Sequence, residues 1–490
     1  MKRNTSVLGD KGSSPGKLGI TKEVYLFIDK GKLSCYSLFS KRVEYNMAVI
    51  RPFRGLYYNP KNITDLALVS TPPYDIIAPE EKVRYKKKHP CNIIRLILPE
   101  SMRGMDKYQE AASFLQKWEK EGILVREKNP SIYPYQQIFT SPSGETKKRE
   151  GFVTLVKLEP LGAGRIIPHE QTTPKPVEDR LKLMEACGAN LSQIFALYSD
   201  PSGEIDKILN ELRTISPRYE FRDDDGVIHR LWQSDEQEII MQLKEKMQLK
   251  PLLIADGHHR YKTALIYRDK MRKHNPSYEA RSPFEYTMMY LTPLEGEGIL
   301  ILPTHRLITL SNSFIPSTFY STLSEYFYFQ CFEFEDQYGE KGARGHFFKA
   351  LDENKGKRHA LGLYIGGDKR YLLLTLKEEN KVTELLREYP RVLQELDVTL
   401  LDGFIVNKLL GLSEGEVGLT KDRDEALENV HNSKFTIAFI LNPPHIYQVQ
   451  KVAAAGEVMP RKSTYFYPKV ATGLVIYKIL TNEEIGLLDG

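Results

Sequence analysis

No stretch of about 18 consecutive apolar residues occurs in the 490-residue chain, so the sequence offers no helix apolar enough to span a bilayer. Cysteine is scarce: Cys35, Cys91, Cys187 and Cys331 lie far apart and form no CxxC pair. That speaks against a zinc ribbon or a secreted disulfide framework, and it fits a reducing, cytoplasmic setting. An excess of charge of one sign is also missing from most of the chain. Residues 1–46 carry nine Lys/Arg against four Asp/Glu, while the 444 residues that follow hold 60 of each. A nucleic-acid footprint needs a local basic patch, and Lys86-Lys87-Lys88 is short enough to be a solvated face. Nucleic acid is therefore not an expected partner, and neither is a membrane. A GxxxxGK[ST] loop and the HRD and DFG motifs are absent, which removes P-loop and protein-kinase sites.

What is present is alternation. From Met47 onward, strand-like and helix-like patterns follow one another: NIIRLILPE (92–100) and REGFVTLVKLE (149–159) read as strands. MDKYQEAASFLQKWEKEG (105–122) reads as an amphipathic helix stopped by Gly122. After about residue 310 an aromatic-rich stretch, a hairpin, a long apolar helix over RVLQELDVTLLDGFIVNKLLGL and the strand FTIAFILNPP follow. The length suggests more than one core. The expected organisation is an extension over 1–46, poorly ordered or the product of a start assigned too early; a nucleotide-binding and catalytic lobe over 47–310; and an α+β lobe over 311–490 that completes the site.

The densest chemistry lies in PLLIADGHHRYKTALIYRDKMRK (251–273). LLIAD is short, apolar and acid-terminated, as a strand is when it delivers a residue to a sheet rim. Gly257 allows a tight turn, and Tyr261, Ala264, Leu265 and Tyr267 have helical spacing. Asp256, Gly257, His258, His259 and Arg260 thus fall at a helix N-terminus, where unpaired N–H groups attract anions. Two imidazoles and a guanidinium suit phosphate oxygens, and Asp256 could hold Mg²⁺. The structural alternative is that Asp256 caps the helix and the histidines satisfy buried carbonyls. A zinc site is disfavoured, because adjacent residues diverge by about 100° on a helix.

Three other clusters carry polar chemistry. STPPYDII places Asp75 after a proline-set turn. GRIIPHEQTTPKPVEDRL runs an apolar pair into His169 and Glu170, followed by Lys175, Asp179 and Arg180. PRKSTYFYPK offers Arg461, Lys462 and Ser463 to a carboxylate or phosphate. Each could equally be a capped turn or a charged surface loop.

From Met47 to the C-terminus the chain resembles a prokaryotic family known as domain of unknown function 1015. The resemblance rests on RPFRGL, PPYDII, WEKEG, HEQT, EDRLKLM, IFALYSD, ADGHHRYKTAL, ILPTHR, LDVTLL, AFILNPP and GEVMPRKSTYFYPKVATGLV, in that order. That family label carries no activity. The DGHHR core is also similar to the nucleotide-binding motif of the ParB and sulfiredoxin superfamily, which includes free L-serine kinases. This implies an α+β fold with a ParB/sulfiredoxin-like nucleotide-binding core and a second α+β lobe, and phosphate-gripping roles for Asp256 to Arg260. The cysteine of a sulfiredoxin is missing.

The expected function is a Mg²⁺-dependent kinase using ATP or ADP, with CTP a further possible donor, and acting on the hydroxyl of a free amino acid such as L-serine. Glu170, Asp75 and His169 are the candidate catalytic residues, with Glu170 as base. Asp256 to Arg260, Lys462 and Ser463 are the candidate donor-binding residues. The alternatives are a ParB-like nucleotide switch without a small acceptor and a metal-dependent hydrolase built on His169, His258 and His259.

Overall fold

The computed structural model describes residues 48–485 except 102, 103, 163, 164, 312 and 379. The extension expected over 1–46 therefore lies outside the described residues. The described residues belong to one compact unit.

Among the described residues, nine strands make the first sheet: β1 (Ile50–Arg51), β2 (Tyr133–Thr140), β3 (Thr146–Lys157), β4 (Ile166–Ile167), β5 (Ile194–Tyr198), β6 (Tyr219–Arg222), β7 (Ile228–Leu231), β8 (Leu252–Asp256) and β9 (Tyr286–Pro293). Their order is β4-β8-β5-β9-β3-β2-β7-β6, with β1 paired to β3. β8 runs parallel to β4 and antiparallel to β5, and β5 is parallel to β9. This mixture, with connections through helices, is the α+β class that the alternating sequence predicts.

The central strands are apolar on both faces because both are covered. Leu252 and Ile254 of β8 join one core with Ile205, Ile240 and Tyr261, while Leu253 and Ala255 face the other core with Phe195 and Tyr290. Helix α1 (Lys107–Lys120) packs on α2 (Pro174–Cys187), which packs on α3 (His258–His274). On α1, Ala111, Ala112, Leu115 and Trp118 are buried, as their 3.6-residue spacing requires.

A second sheet comprises β10 (His305–Ile308), β11 (Phe327–Glu333), β12 (Ala360–Ile365), β13 (Arg370–Leu376), β14 (Val417–Thr420) and β15 (Ile437–Leu441), ordered β11-β13-β12-β15-β10-β14. The chain does not end in this part of the fold. Tyr465–Tyr467 pairs with Leu300–Leu302, and Tyr477–Lys478 pairs with Ala189–Asn190 beside the first sheet. The C-terminal segment is thereby drawn across the rim where β8 ends.

Two sequence expectations are corrected. NIIRLILPE is not a strand: Ile94–Ile97 is a helical turn whose Ile94 N–H is accepted by Asn92 Oδ1 at 2.9 Å. Its apolar run lacks alternation, so burial on every side fits a packed helix as well as a strand. The long apolar helix is broken into Arg391–Gln394, Asp397–Thr399 and a π-helical stretch Leu400–Leu409. The interruption falls at Leu396, which is extended with φ of −104° and ψ of 128°, whereas Asp397–Thr399 runs on into Leu400–Leu409 without a gap.

Candidate functional site

The local sequence builds the site floor. β8 delivers Asp256 to the sheet rim, and Gly257 turns the chain with φ of 94°. That left-handed conformation favours glycine, and a Cβ here would lie 3.0 Å from Arg260 Nε. The 17-residue helix α3 starts at once, with no side-chain cap and no acidic residue in its first turn. Its first N–H groups and positive dipole end therefore remain available to an anion. Asp256 is not a cap.

Instead, Asp256 holds two cations. Its Oδ2 accepts from Arg260 Nη2 and its Oδ1 from Lys469 Nζ, each at 2.5 Å. Burial pushes this carboxyl up, but the Lys469 and Arg260 charges outweigh it and hold the group well below the usual carboxylate range. Arg260 also donates to the Gln193 carbonyl and, at 3.4 Å, to Ser192 Oγ. Its guanidinium thus fastens β8 to the start of β5 as well as lining the cavity. Lys469 is fixed by its backbone: its carbonyl accepts from Gln137 Nε2 at 2.9 Å, and the buried Arg149 donates to the neighbouring Pro468 carbonyl at 2.5 Å.

The three histidines are neutral and have separate tasks. Burial pushes His258 well down, helped by its histidine neighbours, and burial likewise lowers His169 and His259. His258 Nε2 accepts the backbone N–H of His169 at 3.3 Å, and His259 Nε2 accepts that of Thr173 at 3.1 Å. Each ring must then carry its proton on Nδ1, and among the described residues neither Nδ1–H has a protein acceptor. Both are donors open to a ligand. His169 is different: Nδ1–H donates to the Ile254 carbonyl at 2.6 Å, and Nε2 accepts the Thr464 hydroxyl at 2.9 Å. Buried with both ring nitrogens engaged, it ties the β8 end to the C-terminal segment.

Above this floor lies a cavity of about 200 Å³. Asp256, Gly257, His258, His259 and Arg260 line it together with Asp75, Glu170, Lys462 and Lys469. Asp75 is exposed on the short turn Tyr74–Ile76, braced by Arg180, whose guanidinium stacks 4.1 Å over the Tyr74 ring. Glu170 accepts the Lys462 N–H at 3.3 Å. Among the described residues neither carboxylate is paired with a side-chain cation. Ser463 points elsewhere: its hydroxyl donates to the Pro460 carbonyl at 2.5 Å and borders a neighbouring cavity. Asp179 also lies outside this cavity, accepting from Lys107 at 2.7 Å and the Tyr108 hydroxyl at 2.9 Å.

The loop bearing Lys462 is held from the second sheet. Buried Arg306 forms a two-bond pair with Asp402, at 3.0 and 2.8 Å, and donates to the carbonyls of Thr304 at 2.8 Å, Lys462 at 3.3 Å and Arg461 at 3.4 Å. One buried guanidinium thus spans three segments of the chain.

The structure brings the sequence candidates Asp75, Glu170, Lys462 and the DGHHR stretch to one cavity, and it adds Lys469, Lys421, Thr304 and Tyr465, to which the sequence gave no role. Lys469 ends the quoted PRKSTYFYPK stretch, and its only signal was that position. Tyr465 lies between Lys421 and Lys469, whose ammonium groups sit 4.8 and 4.4 Å from its ring centre. Among the described residues, no group of three or more His, Cys, Asp or Glu side chains is arranged to hold a metal ion, and no helix is long and apolar enough to cross a membrane.

Residues 50–399 match the family described as Protein of unknown function (DUF1015). The chain belongs to that family. No curated protein matches it. Among solved structures, a free serine kinase in complex with AMP shares 14% identity, covering 66% of this chain and 92% of that one, with a TM-score of 0.29. A conserved hypothetical protein from Pyrococcus furiosus shares 13% identity over 66% of this chain and 95% of that one, with a TM-score of 0.30. SbnI with a C-terminal truncation, from Staphylococcus aureus, shares 11% identity over 68% and 89%, with a TM-score of 0.32.

Proposed function

For this member of a family whose name assigns no activity, we propose a nucleotide-dependent kinase that phosphorylates the hydroxyl of a free amino acid such as L-serine. The observation that carries the reading is one cavity whose lining combines two kinds of chemistry. The uncapped start of α3, two neutral histidine Nδ1–H donors, Lys462 and Lys469 line it. These suit the oxygens of a nucleotide's phosphates. Asp75 and Glu170 line it as well, carboxylates able to take a proton or hold an ammonium group.

In the proposed reaction the acceptor hydroxyl oxygen forms a bond to the terminal phosphorus, the bridging P–O bond breaks, and the shortened nucleotide leaves with that bond's electrons. Glu170 receives the hydroxyl proton. The cationic and N–H donor groups neutralise charge on the transferring phosphoryl group, where most catalysis of this kind resides. His169, with both nitrogens bonded, acts by holding β8 against the C-terminal segment rather than by moving a proton.

Mg²⁺ suits one part of the site better than another. Both Asp256 oxygens already face cations, which opposes a further dication there. Asp75 offers a carboxylate without such a partner, and Mg²⁺ is commonly held by one or two carboxylates plus substrate phosphates. Bound there, the ion would supply charge neutralisation on the phosphates. The test is to incubate the purified chain with ATP, ADP or CTP, Mg²⁺ and single amino acids, and to read products by mass spectrometry. A phosphorylated hydroxy amino acid is expected. Nucleotide turnover that no amino acid stimulates would overturn the kinase in favour of a nucleotide switch.

A further inference from the structure

We infer that the nucleoside half of the donor lies in a second cavity, formed by the segments around β15 and Asp397, and that this cavity selects a ribonucleoside whose base carries an exocyclic amine. The inference rests on the proposed nucleotide chemistry and extends it to a part of the fold that the DGHHR stretch does not reach.

Volume argues first. The phosphate cavity is about 200 Å³ and its neighbour about 220 Å³. Small-molecule clefts usually span about 300–1,000 Å³, so neither suffices for a whole nucleotide but the two together do. They are adjacent: Thr304 lines both, and of the consecutive residues Lys462 and Ser463 the first faces one cavity and the second the other. Phosphates gripped at α3 would thus leave the nucleoside at the mouth of the second space.

The lining there is of the right kind. Pro303, Leu396, Val398, Leu441, Pro443 and Pro444 supply flat or apolar surface for a base. Asp397 is half-buried at the same cavity. Its Oδ1 lies 2.8 Å from His359 Nδ1, which fixes the carboxylate and leaves Oδ2 with no partner among the described residues. A carboxylate held in this way is a fitting acceptor for ribose hydroxyls. Asn442 is 7% exposed, and its Nδ2 is committed to the Leu351 carbonyl at 2.9 Å. Its Oδ1 has no hydrogen-bond donor among the described residues and can accept from an exocyclic amine, which adenine, cytosine and guanine carry and hypoxanthine and uracil lack. LDVTLL and AFILNPP, to which the phosphate cavity gives no work, are the segments that build this subsite.

Calorimetry with the full chain provides the test, using ADP, inosine diphosphate, 2′,3′-dideoxyadenosine diphosphate and tripolyphosphate. Wild type should bind ADP about 10- to 100-fold more tightly than the dideoxy compound, the range for hydrogen bonds to a charged group, and more tightly than inosine diphosphate. In Asp397→Asn the ratio of ADP to dideoxy affinity should collapse towards one, while the preference for ADP over inosine diphosphate persists. Because these are ratios within one variant, a general loss of stability does not imitate them. If wild type binds tripolyphosphate and ADP equally well, or if the ribose ratio survives in Asp397→Asn, the nucleoside lies elsewhere and the phosphate site stands. If wild type binds neither tripolyphosphate nor any nucleotide, the phosphate-site reading itself is overturned.

Discussion

Lys469 Nζ lies 2.5 Å from Asp256 Oδ1 although 213 residues separate them in sequence. With Arg260 on the other oxygen, the pair sets the charge at the start of α3. Removing one partner of a buried ion pair costs about 3–5 kcal/mol in general. Since Arg260 stays with Asp256, Lys469→Met is expected to cost less, about 1–3 kcal/mol. It should also weaken nucleotide binding. Urea unfolding and calorimetry check both, and unchanged nucleotide affinity in a folded Lys469→Met would place the phosphates away from this ammonium.

Glu170 and Asp75 line one cavity with different assignments. Loss of a general base typically lowers the rate by about 10²–10⁴ with little effect on donor affinity. Glu170→Gln should therefore abolish most turnover while ADP still binds. Asp75→Asn should raise the Mg²⁺ concentration needed for half-maximal rate. Wild-type turnover in both variants, with every acceptor tried, removes the proposed chemistry.

Gly257 combines φ of 94° with a Cβ position 3.0 Å from Arg260 Nε. Gly257→Ala is expected to lose about 1–3 kcal/mol of stability from the forced left-handed backbone, and to displace Arg260. Thermal unfolding that matches wild type within error would show that the turn tolerates a side chain.

Acid should destabilise the fold in two stages. Burial holds His169 and His258 below the ordinary imidazole value and lowers His305 to about 3. The unfolded chain then binds more protons below about pH 6.5, so this stability is complete above that pH and is lost as pH falls. The lowered carboxylates add a second loss from about pH 4 downward. They include Asp256, well below its usual range, and Asp179, brought to about 2 by Lys107 and Arg180 against the opposing effect of burial. His305 accepts the Leu441 N–H at 3.2 Å, a bond Asn can replace without titrating. Urea midpoints between pH 7 and 4 should accordingly fall less steeply in His305→Asn than in wild type; identical slopes would contradict the assignment.

The sequence alone determined what short-range chemistry can determine. An apolar run ending in Asp256, one residue able to take positive φ, and a helical pattern after it specify strand, turn and helix N-terminus within ten residues. Pattern and composition settled the class: alternating elements, no run apolar enough to span a bilayer, no net basic charge after Met47. Tertiary structure decided the rest, because the relevant partners are remote. His169 has the residue type of a catalyst, yet its ring is spent on Ile254 and Thr464. Lys469 has the look of a loop lysine, yet it is brought onto Asp256 by Gln137 and Arg149 acting on backbone carbonyls. The helix expected after Arg391 is interrupted at the extended Leu396, and beyond it the Asp397 and Asp402 carboxylates are engaged by His359 and Arg306. A residue's type and spacing fix what it is able to bond. Only the packed chain fixes which of those bonds are already made, and therefore which groups remain free to meet a ligand.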